Sequence, residues 1–453
     1  MKNKNLLTAI AFSLLASDIN AEVFTIDVTL TSGKSTPESA IREAAGTIYG
    51  SLTAIPEADR TEAQQILWTT LDYLINTAAI DDPAAIIAIN EMSPKRNGTS
   101  TIITRKAPST IPVKGIGKRL SALRKSGQRS GFLDAASSNK PRTSDFYHLN
   151  PGLIKYNTDP KLESGGLLDQ RLSGFVSSNL ISSKQSDTTS EAGFDGNTKQ
   201  LTLGADYRIN SQTFAGAAFS YVNGSMDMTQ GGNLDNSANT LLLYATRSIR
   251  QNWFADATVS FGERKFEMER SLNFTLNNIP VNSIASSNPD GSYYGVTLGT
   301  GYDLSWNNGH SISLLASFSY TKSNINEFQE SGTNAYSLAV EKQEIISKIL
   351  DLGIEWKQAV STGFGVLLPQ VSFKWVQEFE DNSDPINAYF VADPNQTRLS
   401  FETGNKDQGY MNMQLGVTAV LPRGLAAFIQ YETQQFVDDY QQSMISLGAR
   451  KEF

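Results

Sequence analysis

The stretch YQQSMISLGARKEF, residues 440–453, decides the fold that this sequence predicts. At the two-residue period of a β-strand, its apolar side chains fall mostly on one face and its polar side chains on the other. The apolar face holds Ile445, Leu447, Ala449 and Phe453. A strand with one apolar face that ends on an aromatic residue is typical of the closing strand of a β-barrel in an outer membrane.

The same period recurs upstream in segments that keep one face polar. In the segment 409–421, Leu415 and Val417 alternate with Gln414 and Gly416. We count twelve such segments, at about 171–182, 197–209, 213–224, 236–249, 252–266, 292–306, 310–322, 345–359, 364–378, 409–421, 425–435 and 440–453. This pattern predicts an all-β transmembrane β-barrel of about twelve antiparallel strands over residues 167–453.

The connections between these segments alternate in length. Tight turns such as Asn210-Ser211-Gln212 follow the even-numbered segments, whereas longer connections rich in Ser, Asn, Asp and Gly follow most of the odd-numbered ones. Barrels of the outer membrane have short periplasmic turns and long external loops. The alternation therefore predicts that the long connections face outward.

Aromatic residues near the segment ends predict contact with outer-membrane lipid. An amphipathic ring is stable at the headgroup level of a bilayer. The aromatic residues that lie on the apolar face near a segment end are Tyr207, Trp253, Tyr302, Trp306, Tyr320, Trp356, Trp375 and Tyr431.

The amino-terminal residues predict export. Lys2 and Lys4 precede a mostly apolar run from Leu6 to Ala16, which is the layout of a signal peptide over residues 1–21 that the Sec translocon would recognise. The chain has no cysteine and only two histidines, which disfavours thiolate or multi-histidine metal sites, and we expect no cofactor. A net charge of −8 disfavours nucleic acid as a partner.

Residues 22–93 have a mostly helical pattern. Thr36-Pro37-Glu38 predicts a helix start, the run RTEAQQILWTTLDYLINTAA predicts a second helix, and Asp82-Pro83 starts a third. Residues 94–166 form a basic linker in which IGKRLSALR is the only convincing helical piece. Its basic residues Lys118, Arg119 and Arg124 could pair with acidic residues of the barrel interior.

Residues from about 165 to 453 resemble the autotransporter β-domain of type V secretion in Gram-negative bacteria. The segments GFDGNTKQLTLGADYRI, LPQVSFKWVQEFEDN, QLGVTAVLPRGLAAFIQYE and ISLGARKEF carry the resemblance. It implies a barrel that passes an amino-terminal passenger to the cell surface. It also implies that the barrel-assembly machinery recognises the terminal strand, with Ile445, Leu447, Ala449 and Phe453 as the signal. The segment IGKRLSALR resembles the linker helix of this family.

The passenger is shorter than the repeat-rich passengers common in this family, and the linker lacks the paired asparagines at which some members cleave themselves. We therefore expect a translocator that displays its own short amino-terminal region and is not an enzyme. The surface ligand is unknown. The alternatives are a non-secreting channel or structural barrel with a periplasmic amino-terminal domain, and a hydrolase carried by passenger or barrel. Ser144 and His148 lack the surrounding motif of a serine hydrolase.

Overall fold

The computed structural model describes residues 37–78, 82–93, 116, 171–187, 192–250, 252–306, 309–379, 385–401 and 409–453. All of these residues belong to one compact unit. The predicted signal peptide and most of the basic linker, including Lys118, Arg119 and Arg124, lie outside the described residues.

Three helices form the described amino-terminal region, as the sequence predicts. They are α1 (Pro37–Thr53), α2 (Glu62–Asn76) and α3 (Pro83–Met92). Thr61 and Gln64 form a reciprocal capping box at the start of α2, which satisfies two backbone N–H groups. Asp82 caps α3, and Pro83 occupies the first helical position, where its missing N–H has no consequence.

Twelve long strands pair side by side in an antiparallel ring. They are β1 (Leu172–Gln185), β2 (Phe194–Arg208), β3 (Thr213–Met228), β4 (Gly232–Ser248), β5 (Trp253–Leu276), β7 (Asp290–Ser305), β8 (His310–Ile325), β11 (Gln343–Gln358), β13 (Gly365–Glu378), β16 (Gly409–Leu421), β17 (Leu425–Gln435) and β18 (Tyr440–Glu452). Pairing of β1 with β18 and of β11 with β13 closes the ring. The twelve-stranded barrel predicted from the sequence is therefore confirmed.

The outward face of the ring is apolar between two belts of aromatic residues. Trp253 and Tyr302 contact each other edge to face near the short turns, and Tyr294 and Tyr320 contact each other nearer the long connections. Tyr294 and Tyr302 lie on the same strand, so the belts are separated by roughly 27 Å along it. At a tilt of about 40° this gives roughly 21 Å along the barrel axis, close to the height of an outer-membrane apolar band.

The long connections contain strands that the sequence did not predict. They are β6 (Ile279–Ser287), β9 (Phe328–Gln329), β10 (Leu338–Val340), β14 (Ile386–Phe390) and β15 (Leu399–Phe401), while β12 (Val360–Thr362) lies at a short turn. β6 pairs with the part of β5 that extends beyond the ring, and β15-β14-β10-β9 form a separate small sheet. The sequence predicts only the length and polar composition of these connections, and their strands form because hydrogen bonds are made within and between the connections.

The three helices share one apolar core with these strands. From the helices the core takes Ala40, Ile41, Ala44, Ile48, Leu52, Leu67, Leu71, Ala88, Ile89 and Met92, and from the connections it takes Leu272, Phe274, Leu276, Ala285, Ala335, Tyr336, Leu338, Val340, Ile386, Ala388, Phe390, Ala392 and Leu399. We call α1–α3, the extended end of β5, and β6, β9, β10, β14 and β15 the mouth assembly. The mouth assembly lies at the long-connection end of the barrel, since each of its strands belongs to a long connection.

Candidate functional site: the barrel interior and its covered mouth

Acidic side chains line the inward face near the short turns. Asp206 accepts hydrogen bonds from Ser173 at 3.1 Å and from Tyr244 at 2.5 Å. Asp303 accepts one from Ser313 at 2.5 Å. A polar interior is expected for a barrel of this class, because charge on the lipid face costs roughly 2–4 kcal/mol near the midplane.

Asp256, Asp351 and Glu355 continue this polar lining. Asp256 accepts from Thr246 at 2.6 Å and Asp351 from Ser317 at 3.1 Å, while Glu355 forms an ion pair with Lys357. These five acids thus have polar partners on the barrel wall. The interior close to the short turns is therefore a hydrogen-bonded polar lining.

One residue upstream of the barrel lies inside it. Ile116 is helical and fully buried, and it packs against Phe214, Ala218, Leu242 and Tyr244 on the inward faces of β3 and β4. Tyr244 is also the residue that donates to Asp206. Ile116 opens the segment IGKRLSALR, so the first residue of the predicted linker helix lies in the interior, against the tyrosine that donates to Asp206.

An apolar cluster lines the interior nearer the long connections. It consists of Phe194, Met226, Met228, Leu234, Phe266, Ile325 and Tyr440, with Met268 packed against it. We call this cluster the collar. Its members come from strands β2, β3, β4, β5, β8 and β18, so it follows about half of the ring. The interior therefore changes from polar at the short-turn end to apolar at the other end.

Arg264 lies on the inward face of β5, two residues before the collar residue Phe266. Its guanidinium is buried and stacks over the ring of Tyr293 at 4.3 Å from the ring centroid. None of its three guanidinium nitrogens has a hydrogen-bond partner in the part of the chain that the structure describes. The ring of Tyr293 occupies the space that a side chain at Gly262 would need.

A buried ion pair joins three parts of the mouth assembly. Arg270 of β5 donates two hydrogen bonds to the carboxylate of Glu330, at 3.0 and 2.6 Å. It also donates to the carbonyl oxygens of Glu91, at the end of α3, and of Tyr336. The Arg270 and Glu330 side chains are 3% and 2% exposed, so a fully desolvated charge pair lies where the helix, barrel strand and connection meet.

Two further polar contacts tie the helices to the connections. Ser51 of α1 donates to Asp393 at 2.7 Å, and the hydroxyls of Thr70 and Tyr336 lie 2.8 Å apart. Burial raises the pKa of Tyr336 above its ordinary value, while its hydrogen bond with Thr70 opposes that shift. The phenol therefore stays neutral over a wider pH range than in water.

The residues proposed as an assembly signal lie on the outward face of β18. Ile445, Leu447 and Phe453 are exposed there, and Ala449 is partly buried. In the closed ring both edges of β18 are paired, with β1 and β17. A role of these residues in barrel assembly stays a prediction.

Sequence reasoning missed the Arg270–Glu330 pair, and no local pattern marks it, since the two residues are 60 positions apart. The β5–β6 hairpin did carry a signal. Asn277 and Asn278 both have positive φ, and an Asn-Asn pair between alternating segments suits a two-residue hairpin turn. Within the described residues, no group of three or more His, Asp or Glu side chains is placed to hold a metal ion. None of the described helices combines the length and the apolar character needed to cross a bilayer.

Comparison with known families identifies the barrel. The family model described as the autotransporter β-domain matches residues 175–432, which is more than half of the chain. The chain belongs to the autotransporter β-domain family. The fold is similar to that of the translocator domain of the autotransporter NalP from Neisseria meningitidis, with a TM-score of 0.51 at 13% identity, covering 63% of this chain and 89% of that one. An autotransporter β-barrel is a protein of the outer membrane, so this is the location of the ring.

Curated relatives match over part of their length only. Esterase EstA of Pseudomonas aeruginosa is 25% identical over 272 residues, which cover 58% of this chain and 40% of the relative. Lipase 1 of Photorhabdus luminescens is 23% identical over 239 residues, covering 52% and 35%. Outer membrane protein B of Rickettsia japonica is 27% identical over 165 residues, covering 35% and 10%. This chain therefore spans at most two fifths of the length of these relatives.

Proposed function

We propose that this autotransporter barrel carries its own amino-terminal segment through its interior and displays helices α1–α3 at the cell surface. The single observation that carries the proposal is the shared core of the helices and the long connections. Long connections face outward in barrels of this class. Helices that share a core with them have the same location.

The position of Ile116 supports passage through the barrel. The helices lie at the long-connection end, whereas β1 begins at Leu172 opposite Tyr207, next to a short turn. Ile116 comes between the helices and β1 in the sequence and is buried inside the closed ring. We therefore propose that the segment connecting the helices to β1 passes through the barrel interior.

The basic residues that follow Ile116 in the sequence come soon after a residue that lies near the acidic lining. Lys118 and Arg119 come two and three positions after a residue that contacts Tyr244, and Tyr244 donates to Asp206. We propose that Lys118, Arg119 and Arg124 pair with the acidic lining. Charge reversal of Arg119 and Arg124 should then lower the heat stability of the purified barrel, and an unchanged stability would remove this part of the proposal.

Enzyme activity is not part of the proposal. The names of two relatives denote an esterase and a lipase, but the matches cover at most two fifths of those proteins. His310, the histidine that the structure describes, stacks on Trp356 near a short turn. An ester-hydrolysis assay on the exported protein should give no activity above that of cells without it.

Protease treatment of intact cells tests the display. An epitope tag inserted at Asp59, in the exposed turn between α1 and α2, should be lost while a periplasmic marker protein survives. Protection of the tag until the outer membrane is opened would instead favour a channel or structural barrel with a periplasmic domain. We also propose that Ile445, Leu447, Ala449 and Phe453 are read by the barrel-assembly machinery before β18 is closed.

A further inference from the structure

We propose that the displayed helices are a lid, held over the barrel mouth, that shields the collar from solutes at the long-connection end. This inference rests on the proposed function for its cellular orientation, but the geometry that carries it does not depend on the membrane. In this proposal the amino-terminal helices stay on the barrel as a permanent cover and are not released from it.

The inward face of β5 shows where the helices lie. Even-numbered residues of β5 face the interior, and this face runs from Arg264 through Phe266 and Met268 to Arg270. Leu272, Phe274 and Leu276 continue the same face beyond the ring, and they are buried in the shared core with α1–α3. The helices therefore pack on the inward side of the barrel rim, over the mouth rather than against its lipid side.

The lid touches the rim at several points around the ring. Its core contains residues of the connections after β5, β8 and β13, which together cover the arc from β5 to β16. Glu91 of α3 accepts from Arg270 at the rim end of β5, Thr70 of α2 bonds Tyr336 in the connection after β8, and Ser51 of α1 donates to Asp393 in the connection after β13. These three contacts fix the helices across that arc.

Neither the helices nor the connections have a sufficient apolar core without the other. Each described helix is 10 to 17 residues long, and helices of this length depend on tertiary packing for their stability. The strands of the connections are two to nine residues long. The buried faces of both sets are turned towards each other in one cluster. We infer that the helices and connections fold together and stay together.

Cysteine accessibility in the purified full-length protein tests the lid, and the chain has no native cysteine to interfere. Met268→Cys reports on the space between collar and lid. Phe436→Cys, at a position 78% exposed in the β17–β18 turn, is the reference for free access. The reagent is a maleimide on a polymer too wide to enter from the short-turn end. We expect Met268→Cys to react far more slowly than Phe436→Cys.

Opening the lid should expose the reporter. Leu71→Asp places an unpaired carboxylate in the core of α2 and should raise the modification rate of Met268→Cys by at least about tenfold. Ile87→Asp, at a position 50% exposed on α3, is the matched control and should leave the rate unchanged. Retention of the heat-modifiable gel mobility of the barrel shows that the ring is still folded. Should Leu71→Asp disrupt the ring, Glu330→Gln is the milder opening variant.

Two results would overturn the lid. One is a reporter that reacts as fast as Phe436→Cys in the parent protein. The other is a Met268→Cys thiol that stays protected from the maleimide in Leu71→Asp, although protease now cuts the helices. In that case a part of the protein other than the helices covers the collar. Because this assay uses purified protein, it is independent of protease treatment of cells. Protected helices in intact cells would refute the display alone, and fast modification would refute the lid alone.

Discussion

Replacement of Glu330 by Gln should destabilise the mouth assembly far more than the replacement of any exposed acid. The guanidinium of Arg270 would keep its charge while losing the carboxylate that it contacts at 2.6 Å, in a place where both side chains are almost fully buried. Breaking a buried ion pair by removing one partner costs about 3–5 kcal/mol. This corresponds to an increase of roughly two to four powers of ten in the fraction of unfolded mouth assembly.

The same connections provide a matched control. Arg398 and Glu341 form an ion pair of similar geometry at 2.7 Å, but their side chains are 61% and 37% exposed. Exposed pairs contribute less than about 1 kcal/mol, so Glu341→Gln should have a small effect. The double variant Arg270→Met/Glu330→Leu should recover part of the loss, because an apolar pair leaves no unpaired buried charge.

Pulse proteolysis in a urea series measures these differences, since a short protease pulse cuts only the unfolded fraction of the mouth assembly. The purified full-length protein is used, and the heat-modifiable mobility reports that the ring is intact. Equal midpoints for Glu330→Gln and Glu341→Gln would refute the reasoning. A double variant that is less stable than Glu330→Gln would refute the assignment of the cost to an unpaired charge.

Three further predictions test separate parts of the structure. Because the pKa of Tyr336 is raised in the folded protein, its neutral phenol contributes full stability below the unfolded-state pKa of about 10, and this stability is lost as the pH rises above that value. Tyr336→Phe should therefore make the stability of the mouth assembly, measured by pulse proteolysis, fall less between pH 9 and 11. Gly262→Val should lower the temperature at which heat unfolds the barrel and shifts its gel mobility, because the new valine side chain would collide with the ring of Tyr293. Adding Tyr293→Ala to Gly262→Val should restore part of the lost temperature. Leu447 lies on the lipid face of β18. Leu447→Arg should lower the free energy of unfolding of the barrel by about 2–4 kcal/mol if the residue lies near the membrane midplane, whereas Leu447→Ile should leave it unchanged.

The ring could be predicted from the sequence because its information is local. In a strand with one apolar and one polar face, the apolar side chains recur every two residues, as Leu415 and Val417 do. The alternation of short and long connections then indicates that consecutive strands are neighbours in the ring. The helices could be predicted for the same reason, from Thr36-Pro37-Glu38, from the periodic run that begins at Arg60 and from Asp82-Pro83.

The mouth assembly could not be predicted because its contacts are distant in sequence. Arg270 and Glu330 are separated by 60 residues, and Ser51 and Asp393 by 342. β10 and β15 are three residues long, too short for any period to appear, and they are strands only because neighbouring segments supply their hydrogen bonds. The role of the loop residues therefore depends on tertiary packing, which a single sequence does not display.

A cross-link between Ser51→Cys and Asp393→Cys, formed by mild oxidation of intact cells, tests the central claim most directly. The side-chain oxygens of Ser51 and Asp393 are 2.7 Å apart, and the chain has no other thiol. We expect a reductant-sensitive species of altered gel mobility, and no such species when Asp393→Cys is paired with Ile87→Cys, on the exposed face of α3. If Ser51→Cys and Asp393→Cys do not cross-link in cells that contain the folded barrel, the helices do not cover its mouth.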